Sequence, residues 1–575
     1  MHRLLRTASV LTVVALTATM APTALAHDYD TVHRGFMSPN TTLTRGTPES
    51  VGLVSAPIED ARAELRSHLV AKPGVTNPLY PGVVAVAGHD GVIVAEEASG
   101  WAYLYQDATR LAPEAERVPM RHDTIFDLAS VSKLFTSLAA VQLIDEGALD
   151  LSAPVATYLP EFGVNGKGGI TVQMLLTHTS GLAPWLPLWS AYPDKPARIQ
   201  AVMDATPTTT PGTAYAYSDL NLITLGVIVE KLRGASLDQV VKRRITAPLG
   251  MAETGYNPLS WGVPKTRIAA TEWQGNTTGR GLVWGSVHDE NAWSLGGVAG
   301  HAGVFSTARD LAVLSQALLN GGSYRGQRIL SRKGVDLLIT NFNEQFPGDD
   351  HGLGFELNQR WYAAGLAGPR EAGHTGYTGT SLVIDFDSRS FAITLTNRVH
   401  PVRTAGSVNP ARRAWAQGLA LAMPIRPQKG PDAWFTGVKD ATTSTLTLTV
   451  GARAKATLRF ELFVDTEDSD PLFLEVSRDN GATWQPLPFT VRDRGKPATL
   501  EDGRIAVSGL RRYMQASAAL KAGDQLVRWR SVTNDSYLGR GIYVDAIRVT
   551  GPGAKLDAER NPSLLSAEGW TLSRR

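Results

Sequence analysis

Ser130 and Lys133 stand three residues apart at the start of the stretch FDLASVSKLFTSLAAVQLIDEGALDL, residues 126–151. On a helix that spacing puts both side chains on one face of the first turn. A serine there lies near unpaired backbone N–H groups and the positive end of the helix dipole, which favour negative charge developing on or beside it. Lys133 is close enough to act on the hydroxyl proton, and burial would lower its pKa towards that of a useful base. The pair therefore reads as a nucleophile with its activator. The tetrapeptide alone is not specific, because a chain of this length contains about one or two by chance. The competing reading is a serine that N-caps a buried helix while Lys133 points to solvent.

Other chemistry-bearing residues follow along the chain. Tyr217 stands just before a helix that begins near Asp219, where a turn can hold a phenol. Near cationic Lys133 its pKa would fall, making it a proton carrier; alone, it would read as a buried tyrosine at a helix start. His374-Thr375-Gly376, followed by Tyr377, opens a strand within residues 373–397. His178 invites attention as a base, but it lies among apolar residues before a Ser-Gly turn and reads as structural. Trp185, Trp189 and Tyr192 occupy a Pro-broken loop and either line a cleft or pack that loop. The glycines of residues 285–319 either admit close backbone approach to a substrate or make tight turns.

The elements that must position these groups are legible as patterns. Leu134, Leu138, Val141 and Ile144, with Phe135 and Leu143, recur at helical spacing, and Gly147 ends that helix. Leu222, Leu225, Ile228, Val229 and Leu232 mark the buried face of the Asp219 helix. Ser55 caps an earlier helix carrying Ile58, Ala61 and Leu65. Residues 82–87 and 92–96 are strands around a His89-Asp90-Gly91 hairpin turn. An amphipathic helix is capped at Ser306 or Thr307, and a helix with Trp415 and Leu419 follows the strands of residues 373–397. Residues 425–433, IRPQKGPDA, form a Pro/Gly linker. Beyond it TLTLTV, TLRFELFV, LFLEVS, LVRWRS and IYVDAIRV alternate between turns, which predicts an all-β sandwich over residues 434–575.

Composition sets the bounds. A chain of 575 residues has room for two or three domains, and 43% hydrophobic with 19% charged residues is an ordinary globular composition. A net charge of +2 gives no argument for nucleic acid or an anionic membrane. The absence of cysteine excludes disulfides, thiol catalysis, cysteine-ligated zinc and an acylated-cysteine anchor. Residues 1–26 read as a secretory signal: His2, Arg3 and Arg6, an apolar run from Val10 to Leu16, then Ala24-Leu25-Ala26 as a cleavage site. Residues 27–47 follow as a polar leader. The expected protein is secreted, extracellular or cell-wall associated, with no later segment able to span a bilayer.

Ser130-x-x-Lys133, Tyr217-Ser218-Asp219 and His374-Thr375-Gly376 stand in one order, 87 and 157 residues apart. With LLTHTSGL, PLGMAETG and GHAGVFSTARDLA, this set resembles the class C-like branch of the serine β-lactamase and D-Ala-D-Ala peptidase superfamily, over residues 48–424. The HDENAW…LGGVAGHAG run looks most like penicillin-binding-protein-like serine hydrolases of peptidoglycan turnover. The resemblance implies an α/β domain, an antiparallel sheet flanked by helices beside an all-helical region, with the site between them. It implies that Ser130 is acylated, that Lys133 and Tyr217 share proton transfer, and that His374 replaces the lysine frequent in the third motif. Thr375, Gly376 and Tyr377 would line the substrate, with an oxyanion hole formed by the N–H groups of Ser130 and Tyr377. No metal or other cofactor is implied.

One position departs from that pattern. Where β-lactamases carry Tyr-x-Asn, this chain has Asp219, which accepts hydrogen bonds but cannot donate one to a substrate carbonyl. Paired with Lys133, it would raise the lysine pKa and weaken the base, against efficient β-lactam hydrolysis. The C-terminal sequence resembles jelly-roll modules of secreted bacterial hydrolases, with a cell-wall polymer as its possible ligand. Asp535 and Asp545 are either calcium ligands or solvated turn and strand-edge aspartates. The expectation is thus an exported serine hydrolase acting on D-amino-acid peptides or simple esters; the alternatives are an esterase of this fold without a cell-wall role and a non-turnover penicillin-interactive binder. No Gly-x-Ser-x-Gly elbow or His-Glu-x-x-His helix occurs.

Overall fold

A computed structural model describes residues 30–574, apart from 75–76, 537–538 and 553. The signal segment and the first leader residues lie outside the described residues. The first sheet contains Thr44–Arg45 (β1), Gly82–His89 (β2), Val92–Tyr103 (β3), Glu356–Leu357 (β4), Glu371–Gly376 (β5), Thr380–Asp385 (β6) and Ser390–Thr396 (β7). Their order is β1-β3-β2-β7-β6-β5-β4, with Val118–Pro119 added beside β3. All pairings are antiparallel except the two-residue parallel pairing of β1 with β3.

The centre of this sheet is covered on both sides, and the strand sequences show why. In β2, Val83, Ala85 and Ala87 pack with Ser55–Ser67 (α1) and Asn409–Ala422 (α5), while Val84 and Val86 face the larger core. Alternate side chains point to opposite faces, so a strand apolar at every position belongs between two layers. In β7, Phe391, Ile393 and Leu395 continue the larger core and Ala392 the smaller one. The larger core also contains Ser132–Asp145 (α2), Asp219–Arg233 (α3) and Ala308–Leu319 (α4). Every residue from Ser132 to Leu143 is buried. The apolar stripe read from sequence is thus only part of a helix enclosed on all sides.

Several local expectations change. Ser55 is the first residue of α1, and its hydroxyl bonds the Glu49 carboxylate instead of capping the helix. Leu232 is exposed near the end of α3, beyond the reach of the core that buries Leu222, Leu225, Ile228 and Val229. Thr307, not Ser306, caps α4 by accepting the Asp310 N–H. The polar leader, from Asp30 on, is built into the fold: Met37 is buried in the larger core, and Asp30 is buried among arginines.

From Ala433 onward the chain forms two antiparallel sheets. One runs through Lys496–Leu500, Phe489–Asp493, Met514–Leu520, Ala456–Asp465, Gly541–Gly551, Ala433–Phe435 and Thr571–Ser573; the other centres on Leu472–Ser477, Gly523–Val532 and Thr443–Ala452. Alternate residues such as Leu446, Leu448, Val527, Trp529, Leu458 and Phe460 meet between them, the pattern of a β-sandwich. Asp545 accepts the Gln428, Lys429 and Ala546 N–H groups. Oδ2 thus anchors the linker through two N–H groups while Oδ1 takes that of Ala546, and Asp545 is buried on its strand, not solvated.

Polar contacts join the sandwich to the first domain. Arg511 reaches Asp30 at 3.2 Å and Asp385 at 2.5 Å. Arg540 pairs with Asp30 and donates to the Met423 carbonyl at 3.0 Å, and Arg360 pairs with Asp465. Arg511, Arg540, Asp385 and Asp465 are buried, and the Asp30 side chain is 5% exposed.

Candidate active site

Ser130 occupies a 3-10 turn, Ala129–Val131, leading into α2. The turn is held in an uncommon backbone conformation, with Ala129 at φ +46°. Asp127 stabilises it: one carboxylate oxygen accepts the Ala129 N–H at 2.9 Å and the other accepts the His288 N–H at 2.6 Å. From the sheet side, Thr378 donates to the Asp127 carbonyl at 2.7 Å and Thr380 to the Leu128 carbonyl at 2.9 Å. Gly376 packs so closely that an added Cβ would lie 2.3 Å from the Leu128 carbonyl oxygen, so glycine is required there. The third motif and the serine turn are therefore locked together.

Lys133 is 1% exposed, which removes the reading of a solvent-facing lysine. Its ammonium donates to Ser130 Oγ at 3.0 Å and to the His301 carbonyl at 3.1 Å, and it lies 2.8 Å from the Asp219 carboxylate. Burial pushes the lysine pKa down, but Asp219 and then Tyr217 push it up further, so it is held above the ordinary lysine range. The expectation of a burial-lowered base is overturned, and the expectation of an Asp219-paired cation holds.

Tyr217 lies beside this group, with the ammonium 4.8 Å from its ring centre. Its pKa is pushed up to about 12: burial outweighs the downward pull of Lys133, and Asp219 adds to the rise. The expected fall therefore does not occur. His374 lies with its ring 6.0 Å from that of Tyr217. It pairs Nδ1 with the Thr375 carbonyl at 2.7 Å, which places the proton on Nδ1 and leaves Nε2 a lone-pair acceptor. Burial, then the Lys133 charge, lower its pKa to about 3, so it is a neutral imidazole. Thr375 is half-buried on β5, and Tyr377 is 49% exposed with its ring stacked 5.8 Å from His288. The eight residues singled out from the sequence thus stand on three adjoining elements: the Ser130 turn with α2, the start of α3, and the end of β5.

Other residues of the site were given no catalytic role in the sequence reading. His178, read as structural, has φ +55° and lies buried with its ring 4.6 Å from Tyr217. Its Nδ1 is 3.1 Å from the Ser218 N–H and 3.2 Å from the Asn221 amide, so it clamps the start of α3 from behind. Arg412 donates to the Gly376 and Thr380 carbonyls at 2.6 and 3.0 Å, pinning the turn after His374. Asp289 pairs with His301 at 2.9 Å. Asp219, Asp289 and His301 bring ligand atoms within 4.8 Å of one another; Lys133 is the cation that Asp219 already holds. Trp185 is exposed, while the Trp189 N–H is held by Asn291 at 3.2 Å, so the loop is packed at Trp189.

A family model described as Beta-lactamase matches residues 70–417. A Salmonella agona protein named "Putative D-alanyl-D-alanine carboxypeptidase" is 32% identical over 401 residues, covering 64% of this chain and 89% of that protein. A Salmonella typhi protein of the same name is 33% identical with the same coverage. Among solved structures, a penicillin-binding protein homolog from Caulobacter crescentus is 20% identical with a TM-score of 0.48, covering 64% of this chain and 99% of that one. A family VIII carboxylesterase is 23% identical with a TM-score of 0.47, covering 64% and 98%.

Proposed function

This chain belongs to the beta-lactamase family and is a serine hydrolase, and from that premise we propose that it cleaves D-amino-acid peptides through an acyl-enzyme on Ser130. The observation that carries this reading is the placement of Ser130 Oγ 3.0 Å from a buried ammonium that Asp219 holds at 2.8 Å. Ser130 Oγ attacks the scissile carbonyl as its proton passes to the neutral form of Lys133, and Lys133 and Tyr217 relay that proton to the leaving amine as the C–N bond breaks. Water then releases the acyl group by the reverse traffic. The developing oxyanion is met by the N–H groups of Ser130 and Tyr377.

Asp219 gives the proposal its direction. A carboxylate only accepts hydrogen bonds, so a substrate N–H suits it better than a carbonyl. A donor bonded to Asp219 also weakens its hold on Lys133, which then becomes a better base. Peptides supply that donor on their acyl side, and simple esters need not. The printed names of the Salmonella relatives agree with a peptide substrate. Export, a place in peptidoglycan turnover and attachment of the sandwich to cell-wall polymer complete the proposal; fractionation and pull-down with insoluble wall material test them.

The same Lys133–Asp219 pair favours one second reading, a protein that is acylated but does not turn over, because a lysine kept protonated is a poor base for deacylation. Intact-mass analysis after parallel incubation with a fluorophosphonate, a penicillin and a D-Ala-D-Ala peptide separates the two. Ser130-dependent consumption of the peptide supports the hydrolase; a stable adduct without product supports the binder. Absence of any adduct at Ser130 sinks both.

A further inference from the structure

The seam between the two domains holds a groove of about 390 Å³. It lies against α1 and α5, on the face of the first sheet opposite α2 and Ser130. These two helices supply one side of it and touch closely there. An added Cβ on Gly418 would lie 2.5 Å from the Ala61 Cβ and 2.7 Å from the Pro57 carbonyl oxygen, so the contact requires glycine. The sandwich supplies the other side. Phe435 and Tyr543 stack there with ring centres 4.4 Å apart and 17° between their planes.

The charged side chains that line the groove are both acidic: Asp60 and Glu64, one turn apart on the exposed side of α1. Among the described residues the Asp60 carboxylate makes no hydrogen bond or ion pair. Glu64 is half exposed and lies 3.2 Å from His68 Nε2. Gln417, the amide in the lining, is committed to the fold: it accepts the Gly365 N–H at 2.9 Å and donates to the Gly539 carbonyl. Two neighbouring carboxylates at an otherwise apolar groove disfavour an anionic guest and complement a cation. Aromatic rings and small aliphatic residues complement a hydrocarbon stem, and the ring faces also attract positive charge. A compact ammonium on a four-carbon stem combines both properties.

We propose that this groove seats a lysine-type side chain of a partner peptide. The alkyl stem lies between the helices and the Phe435–Tyr543 stack, and the ammonium meets Asp60 and Glu64. The occupant touches both domains, so the binding site exists only when the sandwich is docked. It is separate from the Ser130 site, and the proposal stands or falls independently of the acyl-enzyme reading.

The test titrates the full-length protein with acetyl-lysine methylamide, followed by NMR of the ligand, beside two analogues. The Nε-acetyl form keeps the stem and loses the charge; the norleucine form keeps the stem and loses the amine. The lysine form is expected to bind at least about tenfold more tightly than either, the worth of one charge-assisted contact. Asp60→Asn combined with Glu64→Gln should erase that preference. Phe435→Leu should weaken binding of the lysine form about threefold or more, through the lost ring face. No binding of the lysine form below about 10 mM overturns the proposal. So does equal binding of the three ligands by wild type, a result that needs no variant to fold. A folded double variant that keeps the wild-type preference overturns it as well. Fluorophosphonate labelling of Ser130 at the wild-type rate in the double variant supports a groove separate from the cleft, whereas labelling lost together with binding refutes it.

Discussion

Lys133 and Asp219 form a buried ion pair at 2.8 Å, with Ser130 Oγ on the same ammonium at 3.0 Å. The nucleophile and the carboxylate therefore share one cation. Because Asp219 holds the lysine pKa above its ordinary range, the neutral form is scarce throughout the neutral pH range. Asp219→Asn removes that pull and restores an amide donor. It should raise kcat/KM for a chromogenic cephalosporin about tenfold and move the rising limb of the pH profile to lower pH by about one unit or more. A variant no faster than wild type between about pH 6 and 9 would show that the carboxylate does not restrain the lysine.

Asp127 should prove a stability residue as much as a site residue. Asp127→Ala leaves the Ala129 and His288 N–H groups without their acceptor. At about 1–3 kcal/mol for each orphaned group, urea denaturation should show a loss of about 2–4 kcal/mol. Asp127→Asn keeps one acceptor oxygen and should lose less. Ser130 acylation should slow in both, since the Ala129 turn is no longer held.

His178 should act through Tyr217 and Asp219. His178→Ala removes the acceptor at the start of α3 and puts a residue poorly suited to positive φ where the histidine has φ +55°. A shift of about 1 Å in the reacting groups costs about 10²-fold in rate, so kcat should fall by that order with a smaller change in KM. His178→Asn supplies an amide oxygen and tolerates positive φ, and should recover most of the rate. Equal losses in both variants, with wild-type pH profiles, would reduce His178 to packing.

Asp30 should couple domain docking to acid. Although burial alone raises its pKa, Arg540 and Arg511 hold it down at about 2, against an ordinary 3.8. Folding therefore lowers this pKa, so its contribution is complete above about pH 4 and is lost as pH falls towards 2. Asp30→Asn should cost about 3–5 kcal/mol at neutral pH, as breaking a buried pair does, and should flatten the acid limb of a melting-temperature profile. A wild-type acid limb in the variant would place the acid sensitivity elsewhere.

The helix carrying Ser130 and Lys133, the helix at Asp219 and the β-sandwich were legible because each rests on local periodicity that the sequence displays directly. The three motifs were legible because their residue types are rare in combination. The direction of the Tyr217 shift was not, because it depends on how deeply the phenol is enclosed, and burial outweighed the neighbouring charge. The clamp by His178 was hidden for a related reason: its two donors, Ser218 and Asn221, lie about forty residues away.

The Asp30–Arg540 pair joins residues 510 positions apart. Asp30 leaves the ribosome long before Arg511 and Arg540. Until then a carboxylate destined for burial has no partner, and the face that receives the sandwich, with Met423 and Ile425, stays open to water. The face of the first domain around Asp30 closes only when residues 511 and 540 are in place. Contacts of such separation are slow to form and leave apolar surface exposed while they do. Docking of the sandwich on the first domain is therefore the contact with the longest loop to close.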